Sequence, residues 1–95
     1  MDLVKLGKKI CEIRKEKGFS QKRLAELVGV AQSTMSYIEK GQKSPTVSTL
    51  NAICEGLSVS LFDVLDLDDE IAKKVKATKL DLYVDIDEFL KTFGV

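Results

Sequence analysis

The 95-residue chain contains no histidine, which removes the side chain that most often serves as a general base or metal ligand near neutral pH. Its two cysteines, Cys11 and Cys54, lie far apart in sequence, so the close cysteine pairs of the usual zinc sites cannot be assembled. Neither has a base beside it, and no glycine-rich loop is present to cradle a phosphate. An enzyme is therefore not expected, and neither a cofactor nor a metal is implied. The carboxylates of Asp66, Asp68, Asp69 and Glu70 lack the spacing and the turn glycine of a calcium loop. They suit a solvated linker and a helix N-terminus better.

Long apolar runs are missing as well. Nothing approaches the length of a membrane span, and Met1 to Phe19 alternates charged and apolar residues where a signal peptide needs a continuous hydrophobic region. The expectation is a cytoplasmic protein whose two thiols stay reduced and packed rather than joined as a disulfide. With one proline, no low-complexity segment and 44% hydrophobic residues, the chain is large enough for one small globular unit with a modest core. Net charge is +0, which at first counts against a nucleic-acid partner. Its distribution is uneven, however. Residues 1–60 hold ten Lys or Arg against six acids, and residues 61–95 hold five against nine. A basic module joined to an acidic tail accounts for this, although ordinary surface charge also does, since the excess is modest.

What is present is a helical hairpin at Ser20 to Gly41. Ser20 is a good N-cap for a helix over Gln21 to Val28, and Gly29 ends it at a position where a left-handed conformation is needed. A second helix follows from about Gln32 to Lys40 and stops at Gly41. Leu24, Leu27, Val28, Val30, Met35 and Ile38 supply the apolar face, with Ala25 small where the two helices meet. Gln32, Ser33, Ser36, Tyr37 and Lys40 remain outside, a polar face with little negative charge that suits the major groove of DNA.

The spacing Gln21, Ala25, Gly29, Val30, Met35, Ile38 and Glu39-Lys40-Gly41 resembles the helix-turn-helix of the lambda-type phage repressor and Cro family, the Xre family. The likeness continues through IRKEKGFSQ before it and SPTVSTLNAICEGLSVSLFDVL after it, and covers about residues 6–65. It implies an all-α fold, a five-helix lambda-repressor-like DNA-binding domain over residues 1–66; residues 67–95 lie outside the resemblance and are expected to form a C-terminal extension. It also implies phosphate contacts from Gln21 and from the loop containing Lys40, Lys43 and Ser44. A further implication is an ion pair between Arg14 and Glu39, joining the first helix to the end of the third; from the residues alone, two independent exposed charges would serve equally well. Lys22 joins the phosphate candidates because it lies in the first turn of its helix, where free amides and the dipole favour an anion.

The helix at 32–40 is expected to read bases through Gln32, Ser33, Ser36 and Tyr37. Glutamine can bond adenine at N6 and N7 together, serine is permissive, and tyrosine offers a hydroxyl to phosphate or a ring to a thymine methyl. Ala31 stands where its N-cap belongs and cannot cap, a loss of ~1 kcal/mol. The first helix is expected over about Leu3 to Lys17. A fourth opens at Pro45 and Thr46 with Leu50, Ile53, Cys54 and Leu57 inward, and a short fifth follows Ser60. Gly56 within the fourth and Ser58 where a glycine cap is usual both mark local softness.

In the extension, Leu67, Ile71 and Val75 recur every fourth residue, giving a helix over about Asp69 to Ala77. Leu80 to Ile86 then alternates in the strand period, and Asp85 or Asp87 can cap a last helix bearing Ile86, Phe89, Leu90 and Phe93. A continuous helix from Asp69 to Phe93 competes with that reading. The apolar residues Leu80, Leu82, Tyr83, Val84, Ile86, Phe89 and Phe93 are candidates for a dimer interface, and folding back to complete the core is the alternative. The functional expectation is a DNA-binding transcriptional regulator of a bacterial or phage-infected cell, nucleoid-associated, most simply a homodimeric repressor on an inverted-repeat operator in double-stranded DNA. The alternative is an antitoxin or regulatory partner whose tail binds another protein. No membrane partner is expected.

Overall fold

The computed structural model describes residues 1–95. Seven helices follow one another: α1 (Leu3–Glu16), α2 (Gln21–Val28), α3 (Gln32–Glu39), α4 (Val47–Gly56), α5 (Leu61–Val64), α6 (Asp69–Ala77) and α7 (Ile86–Lys91). Side-chain caps start most of them. Asp2 accepts from Lys5 N, Ser20 from Arg23 N, Thr46 from Thr49 N and Asp68 from Ile71 N, each satisfying an amide that the first helical turn leaves free. α3 is the exception, since Ala31 makes no capping bond.

α4 is the centre of the core, with Val47, Leu50, Ile53 and Cys54 at most 1% exposed. Around it pack Leu6, Ile10 and Ile13 of α1, Leu24 and Ala25 of α2, Met35 and Ile38 of α3, and Leu61 and Val64 of α5, all in one cluster of 19 buried residues. That cluster also includes Val75, Ile86, Phe89 and Leu90, so the core crosses the sequence boundary at residue 66. Both cysteines are free, and burial pushes the Cys54 thiol up to about 12 from an ordinary 9.0. No helix is long and apolar enough to cross a membrane.

Two glycines in and against α1 fix the end of α3. A Cβ on Gly7 would collide with the Ile38 carbonyl oxygen and lie 2.5 Å from that of Glu39. Gly41, at φ 72°, would place a Cβ 2.5 Å from Val4 Cα. The backbone of α1 thus touches the backbone of α3 where α3 ends, an approach only glycine permits.

The tail departs from expectation at Leu80 to Ile86, which forms no strand. Asp81 Oδ1 accepts from Tyr83 N at 3.2 Å, and this Asx turn bends the chain out of the pleat. What survives of the β pattern is one antiparallel bridge between Thr46 and Asp85. Val47 N donates to Val84 O (2.9 Å), Ser48 N to Leu82 O (3.0 Å) and Ile86 N to Pro45 O (2.9 Å), so the turn is strapped across the start of α4. Asp85 then caps α7 by accepting from Asp87 N, and α6 lies over α5 with Lys76 Nζ 4.7 Å from the centre of the Phe62 ring.

Candidate nucleic-acid interface

α2 and α3 are held as a rigid pair by the turn between them. Gly29 adopts φ 83°, and the amides of Gly29 and Val30 both donate to Ala25 O, at 2.9 and 3.0 Å. These bonds satisfy the carbonyl left over at the end of α2 while reversing the chain. Met35 and Ile38 anchor α3 inward at 0% and 2% exposure. At about 100° per residue, Gln32, Ser33, Ser36 and Tyr37 then occupy an arc of about 140° on the opposite side. Gln32 and Ser33 are exposed, Ser36 is half-buried, and Tyr37 is 50% exposed. No acidic side chain lies in that arc. Glu39, the one carboxylate of α3, is turned inward.

Glu39 is the hub of a polar network below the face. Arg14 donates Nε–H to Glu39 Oε2 at 2.8 Å and Nη2–H to Oε1 at 3.1 Å, while its Nη1–H reaches Phe19 O at 2.9 Å. The side chains are 10% and 5% exposed. This two-pronged pair ties α1 to the last turn of α3, and the hydrogen bonds to Glu39 raise the guanidinium pKa further above its ordinary value, keeping it charged. Gln21 joins from α2 by donating Nε2–H to Glu39 Oε1 at 3.2 Å. An amide nitrogen carries two hydrogens, so one remains for a phosphate.

After α3, Gln42 N and Lys43 N donate to Tyr37 O at 2.9 and 3.3 Å, which folds the loop back over the helix end. Lys40, Gln42 and Lys43 are exposed on it, as is Lys22 on α2. Ser44 differs from expectation. Its hydroxyl donates to Asp85 Oδ1 at 2.5 Å, and a hydroxyl has one hydrogen to give, so the side chain has no donor left for phosphate. No local pattern points to this partner 41 residues away. Gly7 was likewise missed, although a glycine in mid-helix carries a cost of ~1 kcal/mol that itself calls for a packing reason.

The interface candidates in the tail divide. Ile86 and Phe89 are 0% and 6% exposed within the chain's own core, which removes them from any surface for a second copy. Leu80, Val84 and Phe93 are half-buried, and Leu82 and Tyr83 stand out at 41% and 91% exposure. A cleft of about 540 Å³ between α1 and the α5–α6 linker, lined by Lys5, Lys8, Phe62 and Asp66 among others, contains none of the DNA candidates.

A helix-turn-helix family model matches residues 10–64. The chain belongs to the lambda-repressor-like helix-turn-helix family of transcriptional regulators. It is 47% identical over 58 residues to the regulator PuuR of Escherichia coli, covering 59% of this chain but only 31% of PuuR. The restriction-modification controller protein C.AhdI of Aeromonas hydrophila superposes with a TM-score of 0.66 at 31% identity, over 67% of this chain and 97% of that one. SinR, the master regulator for biofilm formation, superposes in its complex with DNA with a TM-score of 0.61 at 40% identity, over 64% of this chain and 98% of that one. The chain thus carries the DNA-binding helix-turn-helix of that family within an all-helical fold.

Proposed function

We propose that the chain is a dimeric repressor that binds an inverted-repeat operator through the outer face of α3. The observation that carries this is the arc of Gln32, Ser33, Ser36 and Tyr37, free of acids and exposed except for the half-buried Ser36, on a helix whose inner residues Met35 and Ile38 are buried. Gln32 and Ser33 contact bases first, being at the helix start, and Ser36 and Tyr37 follow one turn later. Lys22, Lys40 and Lys43, with the second hydrogen of Gln21 Nε2, clamp the phosphates on either side. The Arg14–Glu39 pair holds the reader at a fixed angle to α1.

The dimer surface reduces to Leu82 and Tyr83, flanked by Leu80, Val84 and Phe93. Two protruding side chains supply only part of the ~800 Å² per partner of a standard interface, so the dimer is weak alone and assembles on DNA. Covering a promoter in this way represses it. Selection from randomised duplexes tests the reading. It should return an inverted repeat with half-sites about 10–10.5 bp apart or a multiple of that, and sedimentation should show a dimer with the duplex and mostly monomer without it. Recovery of single, unpaired sites would remove the dimer from the account and leave the reader.

A further inference from the structure

The loop that follows the reader is held at both ends by parts of the chain that never approach α3 in sequence. At its start, Gly41 is pressed against the backbone of Val4. At its end, Ser44 to Ser48 is held by the tail through four bonds: Ser44 Oγ–H to Asp85 Oδ1, Ile86 N–H to Pro45 O, Val47 N–H to Val84 O and Ser48 N–H to Leu82 O. The tail side of this strap is itself anchored, because Ile86, Phe89 and Leu90 are buried. Asp85 Oδ1 accepts from both Ser44 Oγ and Asp87 N, so one carboxylate oxygen joins the loop to the first turn of α7.

We infer that Asp85 is a positioning residue for DNA binding: through Ser44 it sets the loop that presents Lys40 and Lys43 to the phosphate backbone. The inference rests on the proposed reading of that loop as a phosphate contact. A negative charge next to such a loop opposes DNA on Coulomb grounds alone, and this gives the idea a sign that can be measured. If Asp85 only added charge, removing it would tighten binding. If it positions the loop, removing it loosens binding in spite of the charge lost.

The test uses the full chain and a duplex long enough for a single protomer, so that pairing of two copies through Leu82 and Tyr83 does not enter. Asp85→Ala and Ser44→Ala should each weaken binding roughly threefold to tenfold, with the log–log salt slope shallower by about 0.9 if one phosphate contact goes. The double variant should lose no more than either single one, since both break the same bond. Asp85→Asn keeps an acceptor and an N-cap and should bind at least as well as the parent. Ser44→Ala leaves the α7 cap intact and should melt within a few degrees of the parent, separating loop geometry from folding. Tighter binding by Asp85→Ala, or additive losses in the double variant, would overturn the inference. Lys43→Ala provides the separate check. If it leaves affinity unchanged, the phosphate-loop reading itself fails; if it weakens binding while Asp85→Ala does not, the loop reading stands and the inference about Asp85 alone falls.

Discussion

Replacing Gly7 with alanine separates a merely tolerated glycine from one that a close helix approach requires. Gly7 lies within α1, and alanine in a helix interior is worth about 1 kcal/mol over glycine, so on local grounds the substitution stabilises. Against this, the new Cβ would sit 2.5 Å from Glu39 O and 2.8 Å from its carbonyl carbon, about 1 Å short of comfortable van der Waals separation. The obstructing atoms are backbone and cannot rotate aside. Overpacking of this kind costs about 1–3 kcal/mol, and the upper half of that range applies where whole helices must part. The net expectation is a loss of about 1–2 kcal/mol, or a melting temperature lower by about 4–16 °C for a chain this size. Gly56→Ala is the internal control: its Cβ would meet nothing nearer than Leu24 Cδ1 at 3.5 Å. It should gain about 0.5–1 kcal/mol. Thermal and urea unfolding of the two variants beside the parent decides the matter. A Gly7→Ala protein as stable as Gly56→Ala would refute the close approach of α1 and α3.

Three further outcomes follow from the same contacts. Glu39→Ala leaves the Arg14 guanidinium, 10% exposed, without its carboxylate; stability should fall by about 3–5 kcal/mol, and pairing it with Arg14→Met should recover much of that loss in denaturant titrations. Ser58 is the one non-glycine residue at positive φ, 57°, so Ser58→Gly should raise stability by about 1 kcal/mol, checked by calorimetry. Cys54, with its pKa pushed up to about 12 by burial, should resist alkylation at pH 8 in the folded chain and react at once in denaturant. Because the unfolded thiol ionises first, the stability it contributes is intact below about pH 9.0 and is lost as pH rises toward 12.

The first five helices were legible because each rule of sequence agrees there with the next. The cap at Ser20, the opening at Pro45 and Thr46, glycines past the ends of helices, and apolar residues three and four apart predict the same boundaries, and α3, which Ala31 does not cap, is marked by its apolar spacing and Gly41. α6 was legible for the same reason. Residues 80–86 were not, because alternation of apolar and polar residues arises equally from a strand and from an extended turn laid on a core. Asp81 decided between them by bonding Tyr83 N, and the partner amides belong to Val47 and Ser48, which no local pattern identifies. For Ile86 and Phe89 the pattern leaves both a dimer surface and a return to the core open, because it shows that the tail cannot bury them alone but not what covers them; α4 supplies the missing side. Within the candidate site, the exposure of Gln32, Ser33 and Tyr37 followed from helix period alone. The engagement of Gln21 by Glu39 and of Ser44 by Asp85 depends on tertiary placement.

The claim on which the rest depends is that α3 reads bases while its neighbours grip phosphate. Base preferences of the parent, Gln32→Ala, Gln21→Ala and Lys43→Ala, measured together on a randomised duplex library and across salt, test it most directly. Gln32→Ala should change preference at one position of each half-site, by the about 1–3 kcal/mol of a bidentate contact. Gln21→Ala and Lys43→Ala should both keep the parent's preference and bind every sequence more weakly; Lys43→Ala should also flatten the salt dependence by about 0.9, whereas Gln21→Ala, which removes no charge, should leave it unchanged. A Gln32→Ala protein that selects the same sequences with the same discrimination as the parent would contradict the assignment of α3 as the reader.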